Sequence, residues 1–276
     1  MEKPATLFLL FIFLFAFLLH ALPTTSKEVG DEKEFSYEKN DEKGPARWGE
    51  LTEEWKTCSS GSMQSPIDLP INQRVQLASS TEGLNRNYSA SDAILKNTGH
   101  DIELEWEAGA GTIEINGTEY TLKQLHWHSP SEHTINGRRF AIEMHMVHES
   151  KDGKIAVIAF LYTIGRPDFF LSHLTDHIRK VAGSEGKETM VGTVDPEDFK
   201  IQNIMYYYRY MGSLTTPPCH ESVVWTVLKK VRTVSIQQVS LLQEAVDGEP
   251  GWNARPTQQT NGRPIHLYVS EDNGHH

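Results

Sequence analysis

From Trp48 onward, apolar and polar residues alternate in short runs broken by Gly, Asn, Pro and Ser, the pattern of half-buried β-strands. Such runs cover Ala93 to Leu95, Ile102 to Trp106, Thr112 to Ile115, Tyr120 to His128, Phe140 to His148, Ile155 to Ile164 and Val223 to Val227. Helical periodicity is scarcer. Over Asp168 to Ala182, Leu171, Leu174, Ile178 and Val181 recur on one face, and Gly183 offers a C-terminal stop. Over Ser235 to Ala245, Ser235 and Gln238 read as a capping box, with Ile236, Val239 and Leu242 expected to be buried. The pattern predicts a mainly β protein: a large sheet with short peripheral helices. No linker-like stretch or internal repeat interrupts residues 35–270, which read as one domain.

Two of these runs carry candidate chemistry. In Gln124–His128, His126 and His128 are two residues apart. On a helix they would point to nearly opposite sides; on a strand they share a face, with Cα atoms roughly 6.5–7 Å apart. In the second run Glu143, His145 and Val147 share a face by the same alternation. Asn136-Gly137 between the runs is a strong hairpin signal, so the two strands read as antiparallel neighbours that bring three histidines to one point. Three histidines without a cysteine make an incomplete shell, as in catalytic zinc sites that keep a position for water. The plainer reading of any one of them is a histidine that packs or hydrogen-bonds in a strand. His173 and His177 lie four apart on the first helix but lack a third ligand nearby and read as surface residues, and His275-His276 read as a solvated tail.

Composition narrows the setting. The apolar run Leu7 to Leu19 after Lys3 reads as a signal peptide (1–24). An acidic arm (25–34) follows it, and a polar tail (271–276) ends the chain. No second run is long enough to span a bilayer, so the mature chain is expected to have no membrane span. The formal net charge is −11 without a basic stripe, which disfavours nucleic acid as a partner. Cys58 and Cys219 are the two cysteines of the chain. In an oxidising compartment they would form one disulfide; two buried free thiols are the alternative. Asn87-Tyr88-Ser89 and Asn116-Gly117-Thr118 are glycosylation sequons that fit a secreted route. In Met211–Trp225, Thr215 and Thr216 precede Pro217-Pro218, a constrained polar loop before a strand.

Six motifs in register carry a resemblance. Gln64-Ser65-Pro66-Ile67-Asp68, Asn97-Thr98-Gly99-His100, His126-Trp127-His128, Ser131-Glu132-His133, Glu143-Met144-His145 and Gly212 to Pro218 together resemble the α-class carbonic anhydrases. The likeness runs from about Phe35 to Pro264. The leader, the acidic arm and the short connection from His148 to Ile155 look like the plant secretory branch. That branch includes nectar and storage proteins, some of which have lost metal ligands. The resemblance implies a large, twisted, mostly antiparallel central sheet. It implies a zinc enzyme for the reversible hydration of carbon dioxide to bicarbonate and a proton, by attack of a zinc-bound hydroxide.

It also implies roles. His126, His128 and His145 would hold Zn²⁺. Gln124 and Glu143 would take the outer N–H of His126 and His145, and the backbone carbonyl of Asn253 that of His128. Thr215 would orient the hydroxide and donate to Glu132, and Thr216 would contact bicarbonate. Val147, Val157, Leu214, Val223 and Trp225 would form an apolar wall for the substrate, although each could equally be ordinary core. His100 would carry the proton to solvent, and Tyr37 would order the intervening water. His133 and Tyr210 would buttress the site without binding metal. The family pattern also brings Cys58 to Cys219, and sulfonamide-type inhibitors are expected. Thr98 and Glu103 replace asparagines of fast animal enzymes, which points to retained catalysis with an altered proton step.

Two rival readings stand beside this one. His126-x-His128-x₃-Glu132 also fits the first metal motif of cupins, but the later Pro-x-Gly-x-x-His of that fold is missing. A weakly active or non-catalytic storage or nectar protein on the same fold is the second. The expected location is the secretory pathway, most simply the cell exterior, with a plastid route open; rate and oligomeric state are not legible.

Overall fold

The computed structural model describes residues 35–71, 76–80, 84–199, 206–246 and 251–270. The expected leader, arm and tail lie outside these residues. The first strands are β1 (Asp68–Leu69), β2 (Gln76–Ser80), β3 (Asn85–Tyr88), β4 (Ser91–Asn97) and β5 (Ile102–Glu105). They are followed by β6 (Gly111–Ile115), β7 (Thr118–His128), β8 (Thr134–Ile135), β9 (Ile142–Ser150) and β10 (Ile155–Ile164). The last are β11 (Glu188–Val194), β12 (Tyr206–Ser213), β13 (Glu221–Leu228), β14 (Arg232–Val234) and β15 (His266–Ser270). Four α-helices flank them: α1 (Trp48–Leu51), α2 (Thr57–Ser60), α3 (Phe169–Val181) and α4 (Ile236–Ala245).

Thirteen strands form one sheet, whose main path runs β11-β4-β5-β7-β9-β10-β13-β12-β15-β2. Most pairs are antiparallel; β10 with β13, β10 with β14 and β15 with β2 are parallel. All seven strand runs read from the sequence are strands within a few residues. Central β9 and β10 are buried almost throughout, which explains their near-continuous apolar sequences. Alternation sends Met144, Met146, Ile158 and Phe160 into one core cluster, together with α3 and α4. Val147, Val157, Leu161 and Trp225 go into a second, on the opposite side of the strands.

Both helices start where the sequence reading places them, the second at its expected capping box. Asp168 accepts from the Leu171 N–H, and Ser235 with Gln238 forms a complete capping box. Leu171, Leu174, Ile178 and Val181 are buried as expected, and Gly183 ends α3 in the left-handed region at φ 67°. Ile236 departs from expectation: it is 59% exposed. It stands at the first helical position, while Val239, Leu242 and Ala245 face the core. Asn136-Gly137 is a turn with both residues at positive φ, closing Ile135 onto Arg138. It does not itself join β7 to β9; it lies inside a longer excursion in which β8 pairs with β1.

Candidate metal centre

Register assembles the site. β7 and β9 pair antiparallel with His126 opposite His145 and His128 opposite Glu143. The rings of His126, His128 and His145 lie 4.6–5.2 Å apart, centroid to centroid. Each ring has one nitrogen engaged outward. Nδ1 of His126 is 2.8 Å from Gln124 Oε1, Nδ1 of His128 is 2.6 Å from the Asn253 carbonyl, and Nε2 of His145 is 2.8 Å from Glu143 Oε1. All three partners are acceptors, so the ring protons sit on the outer nitrogens. Three lone pairs then converge: Nε2 of His126, Nε2 of His128 and Nδ1 of His145. These three ligand atoms lie within 4.8 Å of one another. His145 Nδ1 and His126 Nε2 stand only 3.3 Å apart with no proton between them, and His128 Nε2 is buried without a hydrogen-bond partner.

Facing lone pairs in a buried site call for a cation. A separation of 3.3 Å matches the edge of a tetrahedron whose arms are the roughly 2.0–2.1 Å of zinc–histidine bonds. Three imidazoles and one open position fit a catalytic zinc ion. Electrostatics agree. Burial and then the neighbouring His128 push His126 well below its ordinary pKa, and burial with His128 brings His145 down to about 4. Both are neutral at pH 7. Burial would lower His128 too, but Glu132, the Asn253 carbonyl and Asp101 outweigh it and raise its pKa. The site thus favours positive charge at the orphaned Nε2.

A second group, His133, Glu143 and His145, also brings its ligand atoms within 4.8 Å. It is explained without an ion. Glu143 Oε1 accepts from His133 Nδ1 at 2.6 Å and from His145 Nε2 at 2.8 Å, while Oε2 accepts the His133 backbone N–H. Burial alone would raise the Glu143 carboxyl, but the two histidines hold it well below the usual range. His173 hydrogen-bonds the Phe169 carbonyl and joins no metal-like group among the described residues.

Beside the histidines lies a cleft of about 60 Å³, enough for about two waters' share of liquid volume. Val147, Val157, Leu214 and Trp225 form its apolar side, and Thr215 and Thr216 border it. Val223 does not line it; it packs into the hydrophobic cluster behind that wall. The loop holding the threonines is closed by Leu214 N–H to the His220 carbonyl and Cys219 N–H to the Thr216 carbonyl. Cys219 is disulfide-bonded to Cys58. The expected donation from Thr215 to Glu132 is not made: Glu132 accepts the Arg255 backbone N–H on Oε1, while Oε2 turns toward His128, 3.6 Å away, and has no hydrogen-bond partner.

His100 borders this cleft and a neighbouring hollow of about 200 Å³, with its ring 4.3 Å from Phe35 and 5.7 Å from Tyr37. Tyr37 lines that hollow rather than the cleft. Thr98 and Glu103 face the cleft, and so does Asp101, a carboxylate that motif reading passed over. Burial raises its pKa against the opposing hydrogen bond from Thr98 Oγ1 at 2.7 Å. Sequence reasoning also missed Arg255, a residue only 1% exposed whose guanidinium holds Gln64 Oε1 and the carbonyls of Ser65 and Cys58. A lone Arg in a polar C-terminal stretch gives no local signal of this.

A profile of the eukaryotic-type carbonic anhydrases matches residues 43–269. The chain belongs to that family. The carbonic anhydrase domain is 58% identical over 241 residues to Alpha carbonic anhydrase 7 of Arabidopsis thaliana, covering 87% of each chain. Among solved structures, dioscorin complexed with ascorbate matches this carbonic anhydrase at TM-score 0.82 and 47% identity, over 87% of this chain and 99% of that one. The α-carbonic anhydrase of Thermovibrio ammonificans in complex with the inhibitor sulfanilamide matches at TM-score 0.75 and 33% identity, over 84% and 98%. The mostly β fold read from the sequence is the fold of these carbonic anhydrases.

Proposed function

We propose that this carbonic anhydrase is an active zinc enzyme for the reversible hydration of carbon dioxide to bicarbonate and a proton. The observation that carries the reading is the convergence of three unprotonated ring nitrogens on one buried point, one of them orphaned. His126, His128 and His145 hold the ion, and Gln124, Glu143 and the Asn253 carbonyl fix their tautomers. When bound, zinc lowers the pKa of a coordinated water to about 7 and so makes a nucleophile available at neutral pH.

The remaining work falls to the chain. Thr215 orients the attacking oxygen, and the partnerless Oε2 of Glu132 is the acceptor that its hydroxyl needs. Val147, Val157, Leu214 and Trp225 offer an apolar surface to a small neutral substrate, backed by Val223, and Thr216 contacts the bicarbonate. His100, between cleft and hollow, passes the proton outward, with Tyr37 ordering water on the way. The likeness to a sulfanilamide-binding relative supports sulfonamides as inhibitors.

The disulfide, and the exposure of Asn87 and Asn116, support passage through the secretory pathway and export, with both sequons accessible to glycosylation. No helix among the described residues is long and apolar enough to cross a membrane. A weakly active storage role is the second reading, favoured by the likeness to dioscorin. Stopped-flow carbon dioxide hydration, with and without a zinc chelator and a sulfonamide, separates the two. Turnover abolished by either agent supports the enzyme; zinc-loaded protein no faster than buffer leaves the storage role.

A further inference from the structure

Three Asn-Gly pairs among the described residues share one backbone signature. Asn116, Asn136 and Asn261 sit at φ 51°, 51° and 52°, and Gly117, Gly137 and Gly262 follow at 74°, 75° and 75°. Glycine enters this left-handed region freely and asparagine tolerates it. All six residues are exposed. A fourth pair, Asn273-Gly274, lies outside the described residues.

An Asn-Gly pair is chemically labile because glycine sets no side chain beside its own nitrogen. That nitrogen attacks the asparagine amide: its bond to Cγ forms, the Cγ–Nδ2 bond breaks, and ammonia leaves with the proton that the backbone nitrogen sheds. Water then opens the cyclic imide at either carbonyl, which leaves aspartate or isoaspartate. One water is consumed, one ammonia is released, and nothing is oxidised or reduced. The turn has to open locally for the attack, so hydrogen bonds that pin it protect the pair.

The three turns differ in those bonds. The Gly137 N–H, the attacking nitrogen of its pair, donates to Asp68 Oδ1 at 2.8 Å, and the Asn136 N–H is held by the Leu69 carbonyl at 2.9 Å. In the third pair the leaving nitrogen is held: Asn261 Nδ2 donates to the Ser62 carbonyl at 2.9 Å. Asn116-Gly117 is the tip of the β6–β7 hairpin, just beyond the register pair of Ile115 with Thr118. Neither the Gly117 N–H nor the Asn116 side chain has a hydrogen-bond partner among the described residues. A Cβ on Gly117 would meet nothing within 4 Å. Asn116 also opens the sequon Asn116-Gly117-Thr118, whose glycan is attached to Nδ2, the very atom that ring closure expels. We propose that Asn116 is a modification site with two exclusive fates. It is glycosylated during export, or, in chains that leave without the glycan, it closes onto Gly117 and becomes aspartate and isoaspartate, while Asn136 and Asn261 are protected.

Protein made in bacteria carries no glycan. It is incubated at mildly alkaline pH in heavy-oxygen water, which labels each converted asparagine, and then mapped by mass spectrometry of its peptides. Asn116 should convert about 2- to 10-fold faster than Asn136 or Asn261, the worth of one ordinary hydrogen bond. Asp68→Ala frees the Gly137 N–H and should bring Asn136 toward the Asn116 rate. Should that variant not fold, amide hydrogen exchange in the unaltered protein reads the same protection, with the Gly117 N–H exchanging faster than that of Gly137. In a glycosylating plant host, the parent chain should carry a glycan on Asn116 and resist conversion. Thr118→Ala, which destroys the sequon and keeps Asn-Gly, should convert there. Equal or reversed rates at the three pairs, a folded Asp68 variant with Asn136 unchanged, or conversion of glycosylated Asn116 would each overturn the proposal. A parent chain that receives no glycan in that host would defeat the secretory reading, on which the glycan half rests. The rates of the bacterial protein would still decide the turn chemistry.

Discussion

Nε2 of His128 and Oε2 of Glu132 face each other at 3.6 Å, both buried and both without a hydrogen-bond partner. A carboxylate in this position favours positive charge at the histidine and leaves one acceptor oxygen unfilled. Glu132→Gln keeps an oxygen for the Arg255 N–H, so the fold is expected to survive. Carbon dioxide hydration is expected to fall by about 10- to 100-fold, the range for partners just outside a metal's ligands. Stopped-flow kinetics checks this, and an unimpaired variant would remove Glu132 from the mechanism.

His100→Ala tests the proton route. At low buffer concentration turnover should drop by at least about 10-fold, a floor below the usual worth of a positioned proton carrier, and added imidazole buffer should restore it. A rate at low buffer equal to that of the parent protein would exclude His100.

His148 is buried on the far side of β9, with Nε2 taking the Tyr88 hydroxyl at 2.8 Å and Nδ1 donating to the Met146 carbonyl. Burial brings its pKa down to about 4. The folded value lies below the unfolded one near 6.5, so the unfolded chain binds more protons between the two. Stability is therefore lost as pH falls from about 6.5 toward 4, by up to about 1.4 kcal/mol per pH unit for one proton. His148→Gln should flatten the pH dependence of urea unfolding in that window, and an unaltered slope would assign the effect elsewhere.

Cys58 and Cys219 are 161 positions apart. Opening so long a loop in the unfolded chain is expected to cost about 3–5 kcal/mol of stability on the chain-entropy account. Urea denaturation of the paired alanine variant measures it. A loss below about 1 kcal/mol would show that hydrogen bonds already hold the 214–220 loop.

Gly212→Ala drives a Cβ to 2.1 Å from Ser65 Oγ and 2.8 Å from the rings of Trp225 and Tyr210. Overpacking of this kind destabilises by about 1–3 kcal/mol. A thermal scan reads the loss.

Much of the fold was legible because strand periodicity is local. Ile155–Ile164 is buried almost throughout and reads so, and Ser235 with Gln238 announces its helix by a capping box. Ile236 shows the limit: apolar spacing on a short helix does not say which flank meets the sheet, and here Val239 and Leu242 took it. Val223 shows another, since membership of an apolar face does not separate the lining of a cleft from the layer behind it.

The sequence by itself determined that His126 and His128 share a face, because side chains on a strand repeat every two residues. It also determined that His145 belongs to a strand of the same kind. Only the tertiary structure decided that His145 stands opposite His126 and that Arg255 reaches Glu132, while Asn253 as the carbonyl for His128 came from the family resemblance and from no local pattern. Those partners come from far along the chain. A buried polar group is satisfied by whatever donor or acceptor the closed fold brings beside it, and that choice leaves no periodic trace in the sequence.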